Sequence, residues 1–352
     1  MKAKILQALI ICAVIAASFF AIYHRSLPVE EEMQPLPSVF TLTIDTTKQS
    51  KFGFLGESRG DDLASQPFNS IVLSDLLTGL NNQDVKAIFF GGNLVSGVEK
   101  GIDGKAKPID YQQLNQELKQ FSVMYDRIFD KSTPFYPVLG DREVMISRGA
   151  EVFLNHFHLY GGLILNNSLL YTVSAGPSFF AVIATDERVP GRERMEQAFI
   201  HPMLEWLERV LTEGAKKHKY LFVVGHEPAY PSSTTFAKNH LSQRNAFWKL
   251  LMDHKVLAYF SSGEHLFDRS NRWGVWQIIS GGGGAPLREG GGSEPFFHSL
   301  VLTIPGETPG ISSPKGETPG IQVMDRSGKV IEEFSLSLEN QPLYQMRISL
   351  KD

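Results

Sequence analysis

Short apolar runs alternate with longer segments of helical period along the chain from Phe40 to about Thr303. Each run is bounded by glycine or polar residues, and this pattern is typical of strands buried on both faces of a sheet. The clearest predicted strands cover residues 86–90, 135–139, 179–185, 220–224 and 275–280. Near the C-terminus, the segments 322–324 and 330–334 flank a Gly-containing turn sequence, which predicts a β-hairpin that closes a sheet.

Between the predicted strands, apolar residues recur every three or four positions, as they do on one face of an amphipathic helix. The four predicted faces are Phe68, Ile71, Val72, Leu76, Leu77 and Leu80; Tyr111, Leu114, Leu118, Phe121, Tyr125 and Ile128; Met203, Leu204, Leu207, Val210 and Leu211; and Ala246, Phe247, Leu250 and Leu251. Alternating strands and helices argue for a layered α/β architecture. The glycine run 281–284 lacks the following helix of a phosphate-binding loop and is interpreted as a flexible turn.

The N-terminal segment differs from the rest of the chain. Residues 5–23 are almost entirely apolar and follow Lys2 and Lys4. This length is close to the roughly 20 residues that cross a bilayer as a helix, and the lysines favour a cytoplasmic N-terminus. We therefore expect a signal anchor in the membrane and an extracytoplasmic main domain. A signal peptide cleaved after the small residues 16–18, which would leave a secreted or periplasmic protein, and a buried helix are the alternatives.

The predicted organisation has five parts. Residues 1–25 form the signal anchor, 26–39 a linker rich in proline and glutamate, and 40–304 the main domain. Residues 305–321 carry the sequence GETPGI twice, ten residues apart, and are expected to form a surface loop. Residues 322–352 supply the last strands and a tail. The net charge of −4 and the absence of a basic stripe argue against nucleic-acid binding. The only cysteine, Cys12, lies in the apolar N-terminal run, so disulfides and cysteine metal sites are excluded elsewhere.

Five short polar loops each follow an apolar, strand-like run of residues. Because ligands of open α/β sheets bind beyond the carboxyl ends of the strands, these loops are the candidate functional site. Their sequences are Gly56-Glu57-Ser58-Arg59-Gly60, Gly92-Asn93, Gly140-Asp141-Arg142-Glu143, Gly225-His226-Glu227-Pro228 and Ser262-Gly263-Glu264-His265.

In order and spacing, the loops resemble the motifs of the calcineurin-like metallophosphoesterases, which hydrolyse phosphate esters with two metal ions. That family has Asp-x-His or Asp-x-Arg, then Gly-Asp, then Gly-Asn-His-Asp/Glu, then a lone His and finally Gly-His-x-His. The resemblance covers residues 50–300. It implies a layered α/β fold, a metallophosphoesterase-like β-sandwich flanked by helices, preceded here by one N-terminal transmembrane helix.

Several metal-binding positions of the family carry other residues in this chain. The fourth loop matches the family without change at His226, and the last loop keeps its second His as His265. The substitutions are Glu57 for Asp, Arg59 for His, Asn93 for the bridging Asp, Asp141 for Asn, Arg142 for the catalytic His and Gly263 for the first His of the last loop. A shift of one residue would place Glu264 at that first His. Asp186, after the run 179–185, resembles a Leu-Asp pair of the family and is expected to be a turn residue.

The resemblance implies one metal held by Glu57, Arg59, Asn93 and His265, and a second held by Asn93, Asp141, His226 and Gly263. An arginine has no lone pair to donate, and glycine has no side chain, so the two-metal centre is expected to be degraded. The residual metal ligands are Glu57, Asn93, Asp141, His226 and His265, with Glu264 as an additional ligand of the second ion. Such a set suits one weakly bound zinc, manganese or iron ion, or no ion at all.

Arginines at two metal-site positions leave three roles open. Arg59 and Arg142 together would bind a phosphate-like anion, because guanidinium groups pair with phosphate through two parallel hydrogen bonds. Alternatively, each arginine pairs with a nearby carboxylate and fills the space of a metal. Catalysis by Arg142 and His226 is the third role. The leading hypothesis is a catalytically impaired protein that binds an anionic small molecule or a protein partner. An active metal-dependent phosphoesterase and a structural envelope protein are the alternatives.

Overall fold

Two mixed β-sheets face each other in the computed structural model of this protein, which describes residues 39–60, 66–100, 106–129, 133–186, 199, 201–232, 241–289, 294–306 and 318–337. The strands are β1 (Val39–Leu42), β2 (Ser50–Leu55), β3 (Ile88–Phe90), β4 (Val98–Lys100), β5 (Ala106–Pro108), β6 (Phe135–Pro137), β7 (Leu163–Leu165), β8 (Ser168–Ala175), β9 (Ser178–Val182), β10 (Tyr220–Val224), β11 (Ala258–Ser261), β12 (Phe267–Arg272), β13 (Val275–Ser280), β14 (His298–Ile304), β15 (Gly320–Asp325) and β16 (Val330–Ser335). The helices are α1 (Ser70–Asn82), α2 (Tyr111–Ile128), α3 (Asp141–Val144), α4 (Gly149–His156), α5 (His201–Ala215) and α6 (Leu241–Asp253).

The first sheet has the strand order β1-β8-β9-β10-β11-β13-β12, with β7 paired to β8. The second sheet has the order β16-β15-β14-β2-β3-β6, and β4 and β5 form a separate pair. Within the first sheet β9, β10, β11 and β13 are parallel, and within the second β2, β3 and β6 are parallel. The carboxyl ends of these parallel strands therefore lie along one edge of each sheet.

The facing sides of the two sheets are joined by aromatic rings. Phe54 of β2 stacks on Phe260 of β11 at 4.0 Å between ring centroids, and Phe89 of β3 lies 4.4 Å from Phe180 of β9. The next residue along β9, Phe179, is buried on the opposite face of the first sheet, in a second core with Trp206. Because alternate residues of these strands enter two different cores, the strands are apolar along their whole length.

Helices cover the outer face of each sheet. The apolar residues of α1, including Leu76, share one core with the second sheet, and α1 contacts α2. Helices α5 and α6 cover the first sheet with residues such as Leu207 and Trp248. The molecule is therefore layered as helix, sheet, sheet and helix, in agreement with the α/β sandwich that the sequence predicts.

The predicted strands and terminal hairpin are present. Strands β10 and β13 match their predicted bounds, and β3, β6 and β9 are shorter than their predicted ranges. The predicted hairpin is the antiparallel pair of β15 and β16 at the end of the second sheet. The pattern did not identify β8 or β14, which lie inside the two sheets and carry a mixture of apolar and polar residues.

The prediction that three helix residues are buried is wrong. Ile71 is 66% exposed and Tyr111 is 40% exposed, and Ala246 is also exposed. Ile71 and Tyr111 lie in the first turns of their helices and Ala246 in the second, off the stripe that faces the sheet, so an apolar side chain there need not pack. The buried stripe of α2 instead includes a carboxylic acid, Glu117, and that of α6 includes Trp248.

The predicted N-terminal anchor, the linker and most of the GETPGI repeat lie outside the described residues. Among the helices that the structure describes, none is both long enough and apolar enough to cross a membrane.

Burial raises the pKa of Glu117 to about 7, and the carboxylates of Glu143 and Glu99 act in the same direction against a hydrogen bond from Gln113. A raised pKa in the folded state means that this group favours folding below its unfolded pKa of about 4.5. We therefore predict that stability falls as the pH rises from about 4.5 towards 7. Replacement of Glu117 by Gln should raise the free energy of unfolding by about 1–3 kcal/mol near pH 8 and change it little near pH 4.

Urea unfolding of the wild type and Glu117→Gln at both pH values would measure this difference. Asp126→Asn, an exposed carboxylate on the same helix, is the control and should leave the pH dependence unchanged. If the free energy of unfolding of Glu117→Gln depended on pH in the same way as that of the wild type, the raised pKa of Glu117 would be contradicted.

Candidate active site at the strand ends

Five loops meet where the parallel strands of both sheets end. Three of them follow β2, β3 and β6 of the second sheet, and two follow β10 and β11 of the first sheet. Backbone hydrogen bonds join them: Glu57 N–H donates to the Gly92 carbonyl at 3.0 Å, and Gly263 N–H donates to the His226 carbonyl at 2.8 Å. The predicted loops therefore form one site.

The close approach of the loops depends on backbone that few side chains allow. Glu57 and Asn93 both have left-handed φ values, 61° and 53°, and Gly92 has a φ of 100°. A Cβ atom on Gly92 would meet the imidazole of His226 and the backbone of Gly140. The run 281–284 is buried, and a Cβ atom on Gly281 would collide with the carbonyl of Glu264. This run is thus required for packing behind the loops rather than for flexibility, which corrects the interpretation as a flexible turn.

The side chain of Asn93 lies at the centre of the site. Its Nδ2 donates one hydrogen bond to Glu57 Oε1 and one to Asp141 Oδ1, both at 2.8 Å. Its Oδ1 accepts a hydrogen bond from the backbone N–H of Arg142 at 3.0 Å. Because carboxylates only accept and the amide N–H only donates, this arrangement fixes which atom of the Asn93 amide is nitrogen. The amide therefore connects two carboxylates that would otherwise repel each other.

Glu143 holds the two flanking loops together from behind. Its Oε2 accepts hydrogen bonds from the backbone N–H groups of Gly140 and Asn93 at 2.8 and 3.1 Å, and its Oε1 accepts one from Val95 at 3.2 Å. Burial raises the pKa of Glu143 to about 7, although these hydrogen bonds act in the opposite direction. The side chain is fully buried, so its role is to position Asn93 and Asp141.

His226 faces the carboxylates with one ring nitrogen and the backbone with the other. Its Nδ1 is 2.7 Å from the carbonyl oxygen of Gly91, so Nδ1 carries the proton and Nε2 points towards Glu57 and Asp141, at 3.5 and 3.6 Å. Burial alone would lower the pKa of His226, but the carboxylates of Asp186, Asp141, Glu57 and Glu227 together raise it well above its ordinary value. The carboxylates around the ring therefore favour its protonated form.

Each predicted arginine lies beside a carboxylate. Arg59 Nε is 3.4 Å from Glu57 Oε2, and Arg142 Nε is 3.7 Å from Asp141 Oδ2. His265 Nε2 lies 3.1 Å from the same oxygen of Glu57, and its Nδ1 is 2.8 Å from the carbonyl of Pro286. The two arginine side chains are only 9% and 14% exposed. This geometry is that of the ion-pairing alternative.

Gly263 faces a carboxylate that the motif comparison did not include. A Cβ atom on Gly263 would lie 3.4 Å from Glu227 Oε2, so Glu227 occupies the space next to the absent side chain. Glu264 instead accepts a hydrogen bond from the backbone N–H of Ser232 at 2.7 Å. Asp186 Oδ2 lies 4.0 Å from His226 Nε2. Asp186, His226 and Glu227 can bring one ligand atom each to within 4.8 Å of one another.

The structure thus brings together all the residues that the sequence predicts for the site, namely Glu57, Arg59, Asn93, Asp141, Arg142, His226 and His265. Their catalytic, metal-binding and anion-binding roles stay predictions. Sequence reasoning missed Glu227 as a member of the cluster, although it follows His226 directly, and it treated Asp186 as a turn residue. Their position in the sequence could have identified them, because Glu227 and Asp186 both follow the carboxyl ends of predicted parallel strands.

The residues at the centre do not fit a pair of divalent ions. A bridging ligand needs an anionic oxygen for each metal, whereas Asn93 is neutral and directs its N–H groups at Glu57 and Asp141. Arg59 has no lone pair to donate and Gly263 has no side chain. Asp186, His226 and Glu227 do fit a single ion, since two carboxylates and one imidazole form a ligand set for divalent metals.

Known structures support the fold. A purple acid phosphatase, PPD1 from yellow lupin seeds, is similar with a TM-score of 0.58 and 15% identity over 83% of this chain and 54% of that one. GAP50, the anchor in the inner membrane complex of Plasmodium, has a TM-score of 0.53 and 14% identity over 84% and 90% of the two chains. A dimetal phosphatase from Danio rerio has the same TM-score and identity over 82% and 99%.

No protein-family model matches the sequence, and no curated protein sequence matches it. The likeness therefore rests on the structure, with five loops in the order that the motifs require. This chain has the calcineurin-like metallophosphoesterase fold.

Proposed function

We propose that this protein is a non-hydrolytic binding protein built on the metallophosphoesterase fold. The observation that carries the proposal is the Asn93 amide, which donates hydrogen bonds to Glu57 and Asp141 at the position where the fold carries a bridging carboxylate. Two-metal hydrolysis needs a metal-bound hydroxide placed in line with phosphorus. A neutral amide cannot hold the two ions that would generate this nucleophile.

The residue at the family's catalytic His position supports the same proposal. Arg142 replaces that His, and a guanidinium cannot deliver a proton near neutral pH because its pKa is too high. Its Nε is 3.7 Å from Asp141, where it balances a carboxylate. Arg59 and Arg142 therefore balance part of the negative charge of the cluster without a metal ion.

The apolar segment 5–23 and the lysines before it support a binding role at a membrane surface, outside the cytoplasm. GAP50, which has a similar fold, is itself the anchor of a membrane complex. That parallel favours a protein partner over a small anion, because Arg59 and Arg142 are already next to carboxylates.

We predict no metal-dependent hydrolysis by the purified full chain. Hydrolysis of bis(p-nitrophenyl) phosphate with excess manganese or zinc should not exceed the rate with the metal salt alone. His226→Ala, which removes a metal-site residue that matches the family without change, is the comparison variant and should give the same rate. Turnover by the wild type that disappears in His226→Ala would contradict the proposal.

We predict that Asn93→Asp makes the protein depend on metal for stability. The variant loses the two hydrogen bonds that the Asn93 amide donates and gains a buried negative charge. Its free energy of unfolding should therefore be lower by about 3–5 kcal/mol without metal. Excess manganese should recover much of that loss, because divalent ions then find a bridging anion. Urea unfolding with EDTA and with manganese measures both effects.

Asn167→Asp is a matched control for this prediction. Asn167 also uses its amide nitrogen for two hydrogen bonds, to the carbonyls of Val144 and Ile146, but within the described residues it donates to no carboxylate. It should lose stability without recovering it in manganese. Equal recovery in both variants would mean that the manganese effect is not specific to the site.

A second candidate function, an active phosphoesterase with one metal, is favoured by the group of Asp186, His226 and Glu227. His226 Nδ1 is fixed on the Gly91 carbonyl, an orientation that presents Nε2 as a ligand, as in many metal sites. Glu227 supplies a carboxylate next to the position that Gly263 leaves empty. This arrangement would polarise a phosphate ester without the bridged pair.

The two candidates differ in metal binding. If the single site is used, calorimetry should give one manganese or zinc ion per chain, and Glu227→Gln should weaken binding by at least about tenfold. Glu151→Gln, which removes a carboxylate paired with Arg148 outside the site, is the control and should bind like the wild type. Absence of binding by the wild type would remove the second candidate and leave the first.

A further inference from the structure

A cluster of aromatic and cationic side chains lies outside the carboxylate site. The guanidinium carbons of Arg244 and Arg272 both lie over the ring of Tyr230, at 4.7 and 4.2 Å from its centroid. The ring of Trp273 is 6.2 Å from the same ring. We call Tyr230, Arg244, Arg272 and Trp273 the Tyr230 clamp.

The clamp is held in place by rigid elements. The side chain of Gln277 in β13 accepts a hydrogen bond from Tyr230 N–H at 2.8 Å and donates one to its carbonyl at 2.6 Å. The buried Trp248 of α6 packs edge-on against Tyr230 at 5.0 Å and donates a hydrogen bond to the Arg272 carbonyl at 3.2 Å. The clamp therefore lies on the face of the first sheet that α6 covers, on a preformed support.

Neither guanidinium forms an ion pair with a carboxylate within the described part of the chain. Arg244 hydrogen-bonds only to the side chain of Asn245, and the buried Nε of Arg272 has no hydrogen-bond partner there. Burial lowers the pKa of Arg272 and the charge of Arg244 lowers it further, against Tyr230 and Asp268. Two like charges held on one ring in this way favour an anionic ligand.

The segment around Tyr230 and Arg244 supplies no carboxylate, and Asp268, which acts on Arg272 from β12, accepts a hydrogen bond from Ser232. Residues 228–252, which include Tyr230, Arg244 and the segment between them, contain neither Asp nor Glu but carry Lys238 and Lys249. Arg148 differs from the clamp arginines in its ion pairing. It also lies over a tyrosine ring, that of Tyr111, at 5.2 Å, but it pairs with Glu151. A guanidinium stacked on tyrosine elsewhere in this chain thus has an acidic partner, and the clamp lacks one in the described residues.

An exposed aromatic residue completes the surface. Trp273 is 53% exposed and has a φ of 52°, in the turn between β12 and β13. A bulky residue in the left-handed region is strained, and such strain is concentrated at functional positions. Tyr, Trp and Arg are the residues that contribute most to protein–protein binding energy. The composition therefore favours a peptide over a small ion.

We propose that the Tyr230 clamp is a docking surface for an acidic peptide segment of a partner protein. A carboxylate of the segment pairs with the guanidinium groups of Arg244 and Arg272, and an adjacent apolar side chain packs on Trp273. Tyr230 lies on the loop that carries His226 and Glu227, but none of the four clamp residues is a member of the carboxylate cluster, so this inference stands whether or not that cluster hydrolyses phosphate esters.

The test uses the full chain in a neutral detergent and a fluorescein-labelled hexaglutamate peptide as the probe, with fluorescence anisotropy as the readout. The wild type should bind the peptide, and the double variant Arg244→Gln, Arg272→Gln should weaken binding by at least about tenfold. Arg244→Gln alone should weaken it in the same direction, and this variant keeps the test valid if the double variant does not fold, as judged by circular dichroism. Arg148→Gln is the matched control and should bind within about twofold of the wild type.

Peptide binding that is equal in the wild type and the Arg244 variants would overturn the proposal, and so would no binding by the folded wild type. Inorganic pyrophosphate is the competing probe. If it displaces the peptide completely at a lower concentration than unlabelled hexaglutamate does, the clamp is a phosphate site and the proposal of an acidic peptide is wrong.

Discussion

The site depends on one side-chain amide. Asn93 holds the carboxylates of Glu57 and Asp141 at hydrogen-bond distance on either side of its nitrogen, and Glu143 fixes its backbone from behind. Buried carboxylates this close together are unfavourable unless hydrogen bonds or cations compensate them. The amide supplies hydrogen bonds and the nearby arginines supply cations. The loops that follow β2, β3 and β6 are therefore held together by hydrogen bonds and ion pairs between their own side chains.

Internal cations and metal ions solve the same electrostatic problem in different ways. A metal ion offers open coordination positions to a substrate, whereas a guanidinium or imidazolium group is attached to the chain and fills the volume around it. His226 illustrates the difference, because its Nε2 lies 3.5 and 3.6 Å from carboxylate oxygens of Glu57 and Asp141, and such carboxylates raise the pKa of the ring.

Much of the fold could be predicted because strands such as β10 enter a core on both faces, and this produces apolar runs that a sequence shows directly. The order of the five loops was also visible, since each follows such a strand. The predicted burial of Ile71 and Tyr111 was wrong, because each lies in the first turn of its helix, which extends past the sheet. Glu227 was missed because its contribution depends on the space beside Gly263, which is a property of two loops in three dimensions. The Tyr230 clamp combines residues from three elements and leaves no local pattern at all.

The pairing of Arg142 with Asp141 and of Arg59 with Glu57 has an evolutionary consequence. A change at a single position, such as Asn93 or Arg142, would leave a buried charge without its counterpart and would lower the stability of the fold. Several loops must therefore change together if the charges of this cluster are to change without loss of stability. The ion pairs thus make positions that are far apart in the sequence depend on one another in evolution.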